Sequence, residues 1–324
     1  MTKGSNSDRL VTVFGGSGFV GRHIVRALAQ RGHRIRVAVR RPDLAGHLQP
    51  LGNVGQIHAV QANVRSRESI DRAVTGVWAV INLVGILAES GRQRFAAVHD
   101  KGAGAIAEAA AAAGAQHVVH MSAIGADPQS SSAYARTKAA GEAAVKAAFP
   151  GTVIIRPSII FGPEDEFFNR FAAMARISPV VPLVGAKTRF QPVFVGDVAE
   201  AFLAAVEGRA KPGKIYELGG PEVATFRELM EKMLAIIERR RWIVSIPLPI
   251  AKFQAFFLQL LPKPPLTVDQ VMQLARDNVV SEEATAAGRT LQGLGIGPRA
   301  MDAILPSYLY CFRKSGQFAH RRMV

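Results

Sequence analysis

Along the first 160 residues, short runs of β-branched and apolar residues alternate with longer stretches whose apolar positions recur at helical spacing. The short runs, each bounded by turn residues, fall at 10–14, 35–39, 80–83, 118–121 and 152–155, with a sixth near 57–61. Between them, the segments 20–31, 102–113 and 133–149 favour helix by composition, the second being a near-continuous alanine run. Strands alternating with helices in this way imply parallel pairing through crossover connections. The expected class is therefore α/β, with a Rossmann-type doubly wound parallel sheet. After Pro157 the rhythm loosens: Pro163, Pro179, Pro182 and Pro192 punctuate loops ahead of a further helix at 197–206. The sheet is thus expected to occupy 1–165, with 190–206 returning to it, and 166–324 to form a smaller, mostly helical docking or substrate-like domain.

Inside that second region, Thr225 and Glu228 have capping-box spacing ahead of Phe226, Leu229, Met230, Met233, Leu234 and Ile237, the pattern of an amphipathic helix. Arg239, Arg240, Arg241 and Trp242 follow, then a largely apolar run to Leu261 interrupted by Pro247 and Pro249. A helix over 250–261 would be about 18 Å long, against the roughly 30 Å of hydrocarbon that a span must cross, so it is not expected to traverse a bilayer. For Phe253, Phe256, Phe257, Leu258, Leu260 and Leu261 two readings stand: a membrane-facing patch, or burial beneath the C-terminal domain.

Composition narrows the field. With 324 residues, 48% hydrophobic and 20% charged, the chain is neither disordered nor fibrous. The single cysteine, Cys311, excludes an internal disulfide and cysteine-based metal centres, and suits a reducing compartment. Forty Lys and Arg against 25 Asp and Glu give a net charge of +15, spread along the chain, which favours an anionic membrane surface or a phosphate-bearing ligand. No aromatic-interleaved basic motif accompanies the charge, so nucleic acid is not expected as a partner. Residues 1–9 are polar, which argues against a cleaved secretory leader. The eight histidines show no metal-ligand spacing, and no metal is expected; His117 and His120 read as half-buried packing or surface groups.

The chemistry begins at Gly15-Gly16-Ser17-Gly18-Phe19-Val20-Gly21, which follows the first strand and opens the first helix. Gly15 suits the tight turn, Gly18 the close approach of backbone to a pyrophosphate, and Gly21 the packing of helix on sheet. Ser17, Phe19 and Val20 lie within the same cofactor-binding turn. At the end of the second strand, where an acidic residue would meet the ribose 2′-hydroxyl of NAD, stand Arg40 and Arg41; two cations suit a 2′-phosphate, so NADPH is favoured over NADH. Asn63 and Val64, after the third strand, are placed for the adenine. Asn82, Leu83, Val84 and Gly85, after the fourth, are placed along the cofactor toward its nicotinamide. Further on, Tyr134 and Lys138 stand four apart at a helix start and share one face. A lysine cation beside a phenol favours phenolate and can hold ribose hydroxyls, leaving the tyrosine to exchange a proton with a carbonyl or alcohol. Ser122 ends the fifth strand and is a candidate third member.

Through Gly15 to Gly21, Asn82, Tyr134 and Lys138, Arg156-Pro157 and Phe161-Gly162-Pro163, the chain resembles the extended short-chain dehydrogenase/reductase superfamily over nearly its whole length. The resemblance adds Pro157 to the cofactor-binding set. It also exposes two departures. The superfamily's substrate-polarising serine is usually the second of a Ser-Ser pair, which here reads Ser122-Ala123, and the asparagine of its proton relay corresponds to His99.

A narrower resemblance rests on Tyr134-Ala-Arg-Thr-Lys138-Ala-Ala-Gly-Glu142, on Arg156-Pro157-Ser158-Ile159-Ile160-Phe161-Gly162-Pro163-Glu164-Asp165 with Phe167-Phe168-Asn169, and on Gln191-Pro192-Val193-Phe194-Val195-Gly196-Asp197-Val198. These resemble the NADPH-binding accessory subunit family of respiratory complex I. That likeness implies a tightly held, structural nucleotide and a place on the peripheral arm near the membrane and quinone site. It further implies peripheral-arm subunits as partners, and a cytoplasmic position on the inner face of the cytoplasmic membrane. The alternative is a freestanding NAD(P)-dependent oxidoreductase or epimerase-like enzyme acting on a quinone precursor, lipid or sugar nucleotide, with Tyr134 as acid/base.

Overall fold

The structure, a computed structural model, describes residues 8–259, 261 and 266–315. In chain order the first strands and helices are β1 (Leu10–Phe14), α1 (Phe19–Gln30), β2 (Arg34–Val39), β3 (Ile57–Gln61), α2 (Arg67–Val74), β4 (Ala79–Asn82), α3 (Lys101–Ala112), β5 (His117–Met121), α4 (Ala133–Ala148) and β6 (Val153–Pro157). Next come β7 (Ile160–Phe161), α5 (Phe168–Ile177), β8 (Val180–Val184), β9 (Arg189–Phe190), β10 (Val193–Phe194), α6 (Val195–Val206) and β11 (Ile215–Leu218). The remainder is β12 (Ala224–Thr225), α7 (Phe226–Ile236), β13 (Trp242–Ile246), α8 (Leu248–Leu258), α9 (Val268–Gln273), α10 (Glu282–Ala286) and α11 (Met301–Leu309). The chain divides into two compact units. One takes the residues up to Pro157 together with Gly196–Leu218 and Ser281–Ile296; the other takes Ser158–Val195, Gly219–Val280 and the residues from Gly297 on.

The first unit is a parallel seven-stranded sheet in the order β11-β6-β5-β4-β1-β2-β3, the doubly wound order expected from the alternating pattern. Its central strands are buried on both faces, which is why β1, apart from Thr12, and β4, up to Asn82, read as apolar runs rather than alternating ones. On one face Phe14, Ile70, Val80, Ile106, Val118 and Val145 form a continuous core beneath α2, α3 and α4. The alanine run of α3 has a packing purpose: a Cβ on Gly104 would come within 3.2 Å of the Ala144 Cβ, so α3 and α4 approach with only small side chains between them. Strand order then reverses at β1. The chain runs outward through β2 and β3, and returns to β4 on the other side, opening a crevice beyond the carboxyl ends of β1 and β4.

The second unit holds three two-stranded pairs, β10-β7, β12-β9 and β13-β8, packed with α5, α7 and α11. Its core is aromatic: Phe167 stacks on Phe226 at 5.5 Å, and Phe190 and Phe171 meet Phe226 edge-on. The capping box forms as its spacing predicts, Glu228 N–H donating to Thr225 Oγ1 and Thr225 N–H to Glu228 Oε2. Helix α8 starts two residues earlier than the apolar run suggests, because Pro249 falls in the first turn, where a missing N–H breaks no helical bond. Of α8, only Ala251 and Ala255 are buried. Phe253, Phe256, Phe257 and Leu261 are exposed, which removes the burial reading for them; Leu258 is half-buried, and Leu260 lies outside the described residues. Among the described residues no helix is long and apolar enough to cross a membrane.

Candidate nucleotide and catalytic site

At the switch point a cleft of about 300 Å³ opens, lined by the turns after β1, β2, β3 and β4. Gly15 sits at φ +78, a conformation that only glycine adopts without strain, and its carbonyl accepts the Gly18 N–H at 3.1 Å. A Cβ on Gly21 would lie 2.5 Å from the Gly15 carbonyl oxygen, so α1 can rest on the turn only if that position is glycine. Helix α1 has no side-chain cap and no acid in its first turn, leaving its N-terminal N–H groups to an anion. Ser17 and Gly18 line the cleft beside them. Phe19, Val20 and Gly21 do not line it; Val20 and Gly21 are buried within α1, where they pack the turn rather than face the cleft.

At the far end of the cleft, the two arginines after β2 part company. Arg40 lines the cleft, whereas Arg41 is held in a two-pronged ion pair with Asp43, Nη2 to Oδ2 at 2.8 Å, and does not line it. The second cation at the cleft is instead Arg65, which follows β3 and anchors one prong on the Arg92 carbonyl at 3.0 Å. Sequence reading missed Arg65, along with Gln93, because neither lies in the glycine turn or at the end of β2. Asn63 and Val64 line the cleft where the third strand ends, and Asn63 Oδ1 accepts the Arg65 N–H, shaping that turn. Leu83, Val84 and Gly85 line the opposite wall.

Tyr134 and Lys138 lie on α4, whose start is capped by Ser132 accepting the Ala135 N–H. They do not line the cleft itself, but Lys138 Nζ and His99 Nε2 both come within 3.6 Å of where a Gly85 Cβ would stand, so the pair adjoins its wall. Lys138 is buried and donates to the Met121 carbonyl at 3.0 Å, with its ammonium 6.0 Å from the Tyr134 ring centre. Burial pulls its pKa down to about 8, an effect that the Glu142 carboxylate partly opposes.

His99 sits in a single π-helical turn, Ala96–Asp100, ahead of α3. Its Nε2 accepts the Ile86 N–H at 3.0 Å, so Nε2 is unprotonated and Nδ1 carries the hydrogen toward Thr137 Oγ1 at 3.2 Å. Thr137 in turn donates to backbone carbonyls of its own helix. The imidazole therefore ties the loop after β4 to α4, with the Tyr134 ring edge-on at 5.3 Å. Burial, and then the Lys138 charge, lowers its pKa to about 3, which keeps it neutral. It cannot serve as a charged relay at neutral pH.

His120 is likewise not a half-buried or surface group: it is 1% exposed. Because Asn82 Oδ1 accepts the Val84 N–H, the amide nitrogen of Asn82 faces His120 Nδ1 at 3.2 Å and donates to it. Burial pushes the His120 pKa down to about 3. His117, half-buried, packs edge-on against Trp78 as a packing group. Ser122 is buried, and its Oγ has no partner in the structure, the state of a hydroxyl that a bound polar group would satisfy. Pro157 ends β6 beside Leu218, accepts the Ile124 N–H, and does not line the cleft. Among the described residues no cluster of His, Cys, Asp or Glu could hold a metal.

The glycine turn, the uncapped α1 and the cation-bearing end of the cleft fit a dinucleotide, and the chain has an NAD(P)-binding fold. Residues 11–219 match the model of the NAD dependent epimerase/dehydratase family. The mitochondrial NADH dehydrogenase [ubiquinone] 1 alpha subcomplex subunit 9 of Arabidopsis thaliana is 34% identical, covering 97% of this chain and 80% of its own. A ceramide reductase of Caulobacter vibrioides is 38% identical over 60% of each chain. Among solved structures, the dTDP-glucose 4,6-dehydratase DesIV of Streptomyces venezuelae, with NAD and TYD bound, superposes with a TM-score of 0.70. At 20% identity over 93% of this chain and 95% of that one, it speaks for the fold alone. Matched over most of its length in both comparisons of sequence, the chain belongs to the NAD dependent epimerase/dehydratase family and, within it, to the family of complex I alpha subcomplex subunit 9.

Proposed function

We propose that this protein is a nucleotide-holding accessory or assembly subunit of respiratory complex I, docked on peripheral-arm subunits at the inner face of the membrane. NADPH is its ligand in preference to NADH, held mainly as a structural element. Arg40 supports the choice of phosphate: among the described residues it has no carboxylate partner, and it lines the end of the cleft opposite the nicotinamide side. Gly15, Ser17 and Gly18 would hold the pyrophosphate, Asn63 and Val64 the adenine, and Leu83, Val84 and Gly85 the stretch toward the nicotinamide. Lys138 would hold ribose hydroxyls.

The observation that carries the structural-ligand reading is His99. Where a proton relay would need a group open to exchange, this chain has a neutral imidazole bonded on both nitrogens and packed against Phe95 and Tyr134. A site tied shut in this way holds a nucleotide more readily than it turns one over. The test is to solubilise native membranes, resolve the complexes by size and assay the nucleotide retained after washing. Co-migration with complex I and stoichiometric NADPH that carbonyl compounds and quinones fail to consume is the expected result.

A second reading has its own support in Tyr134, Lys138 and the unpartnered Ser122 hydroxyl, and in the similarity to a ceramide reductase. When bound, the nucleotide would supply a hydride. Ser122 would then hold a lipid carbonyl oxygen and Tyr134 would protonate it, with Lys138 favouring the phenolate afterwards. A soluble, cofactor-exchanging species whose NADPH consumption stops on Tyr134→Phe would replace the first reading with this one.

A further inference from the structure

We propose that β13 and the outward side of α8 form an anchoring surface for a bilayer bearing anionic phospholipids, with the aromatic rings entering the interface and the neighbouring cations meeting phosphate headgroups. This deepens the peripheral-membrane reading above and rests on it.

The geometry is that of an interfacial helix. At 100° per residue, Ala251 and Ala255 fall on one side of α8, where both are buried, while Ile250, Phe253 and Phe257 fall on the other. Phe253, Phe256 and Phe257 are 68%, 56% and 55% exposed and meet one another edge-on, ring centres 5.1 Å and 5.5 Å apart. On β13, Trp242 and Val244 point out on the same face by strand alternation, and Trp242 is 75% exposed. The Trp242 N–H donates to the Pro179 carbonyl, which brings the exposed Ile177 to the same end of the β8-β13 pair. Three phenylalanine rings exposed on one short helix, with Trp242 and Val244 exposed on the strand that leads into it, mark a surface that something covers.

Charge selects the occupant. From Arg239 to residue 268 the sequence has no acidic residue, while Arg239, Arg240, Arg241 and Lys252 supply four cations among the described residues. Arg239 and Arg241 donate to backbone carbonyls, Arg239 Nε to Phe312 and Arg241 to Ala175 and Arg240, rather than to carboxylates. Aromatics at headgroup depth beside uncompensated arginines are what a monotopic membrane surface requires. A second copy suits the face poorly, because a two-fold interface would set these cations against their own counterparts.

The experiment uses the full-length protein with its nucleotide, and vesicles of phosphatidylcholine with and without phosphatidylglycerol. Wild type is expected to sediment with the anionic vesicles, with Trp242 emission shifting to the blue and quenched by brominated acyl chains; Trp78, packed between Arg9 and His33, stays unquenched. The pair Phe253→Ser and Phe257→Ser should lower partitioning by roughly tenfold or more. Arg240→Gln with Lys252→Gln should lower it on anionic vesicles only, about fivefold per cation. Nucleotide retention, measured in each sample, reports folding and the nucleotide reading separately. Absence of binding to anionic vesicles, partitioning that the phenylalanine variants leave unchanged, or a concentration-dependent dimer that those variants convert to monomer would each overturn the assignment.

Discussion

Gly141→Ala tests the packing that places His99. Helix α4 crosses the π-helical turn so closely that a Cβ on Gly141 would lie 2.0 Å from the His99 carbonyl oxygen and 3.0 Å from its carbonyl carbon. Ordinary contact begins near 3.4 Å, so helix and turn must separate by about 1.5 Å, and both atoms in the way are backbone. Three terms decide the sign. Alanine gains about 1 kcal/mol in a helix interior, overpacking costs about 1–3 kcal/mol, and pulling His99 away from Ile86 and Thr137 forfeits about 1 kcal/mol for each bond. The net is a loss of about 2–4 kcal/mol. Urea unfolding followed by far-UV circular dichroism reads it, with Gly46→Ala as control, since a Cβ there meets nothing within 4 Å. Nucleotide affinity should fall with stability, because the displaced turn carries the Ile86 contact that borders Gly85. A Gly141→Ala protein matching wild type in both would refute direct backbone packing of α4 on the turn, and with it the pinned role of His99.

Other consequences follow from the same region. Lys138→Met should stabilise the nucleotide-free protein by about 2 kcal/mol at pH 7, since the depressed lysine pKa corresponds to about 3 kcal/mol of burial cost, less about 1 for the lost bond to Met121; chemical denaturation checks this, and the variant should bind nucleotide more weakly. His99 and His120, held neutral with pKa values near 3, bind protons only in the unfolded chain between that value and the unfolded value of 6.5. Their contribution is thus complete above pH 6.5 and is lost as pH falls toward 3, about 2 kcal/mol per histidine between pH 7.5 and pH 5, and His99→Gln should flatten part of that slope in pH-dependent unfolding. Arg40→Ala should weaken NADPH binding by roughly tenfold or more and leave NADH unchanged, whereas Arg41→Ala should shift neither beyond about twofold, by calorimetry. Equal effects of the two substitutions would show that Arg41 leaves Asp43 to meet the ligand.

Much of this molecule is written in short-range order. The alternation of apolar runs and helical stretches sets the parallel sheet, because periodicity and turn chemistry depend on neighbours within a few residues. The glycine turn and the Tyr134 and Lys138 pair were legible for the same reason, as was the capping box at Thr225, each being a local constraint on backbone or helix face. Partner choice is not local. That Arg41 turns to Asp43 while Arg65 arrives from another strand follows from how three strand ends meet, not from the order of residues after β2. His99 and Thr137 lie 38 positions apart, as do Asn82 and His120, and no pattern along the chain announces such pairings. The same limit governed α8: an apolar run reads alike whether its phenylalanines are covered or bare, and only the surface left after Ala251 and Ala255 pack inward decides which. Sequence alone determined the elements and the kind of ligand they suit; tertiary structure decided which side chains are neutral, tied or exposed, because those states depend on burial and on groups brought close only by folding.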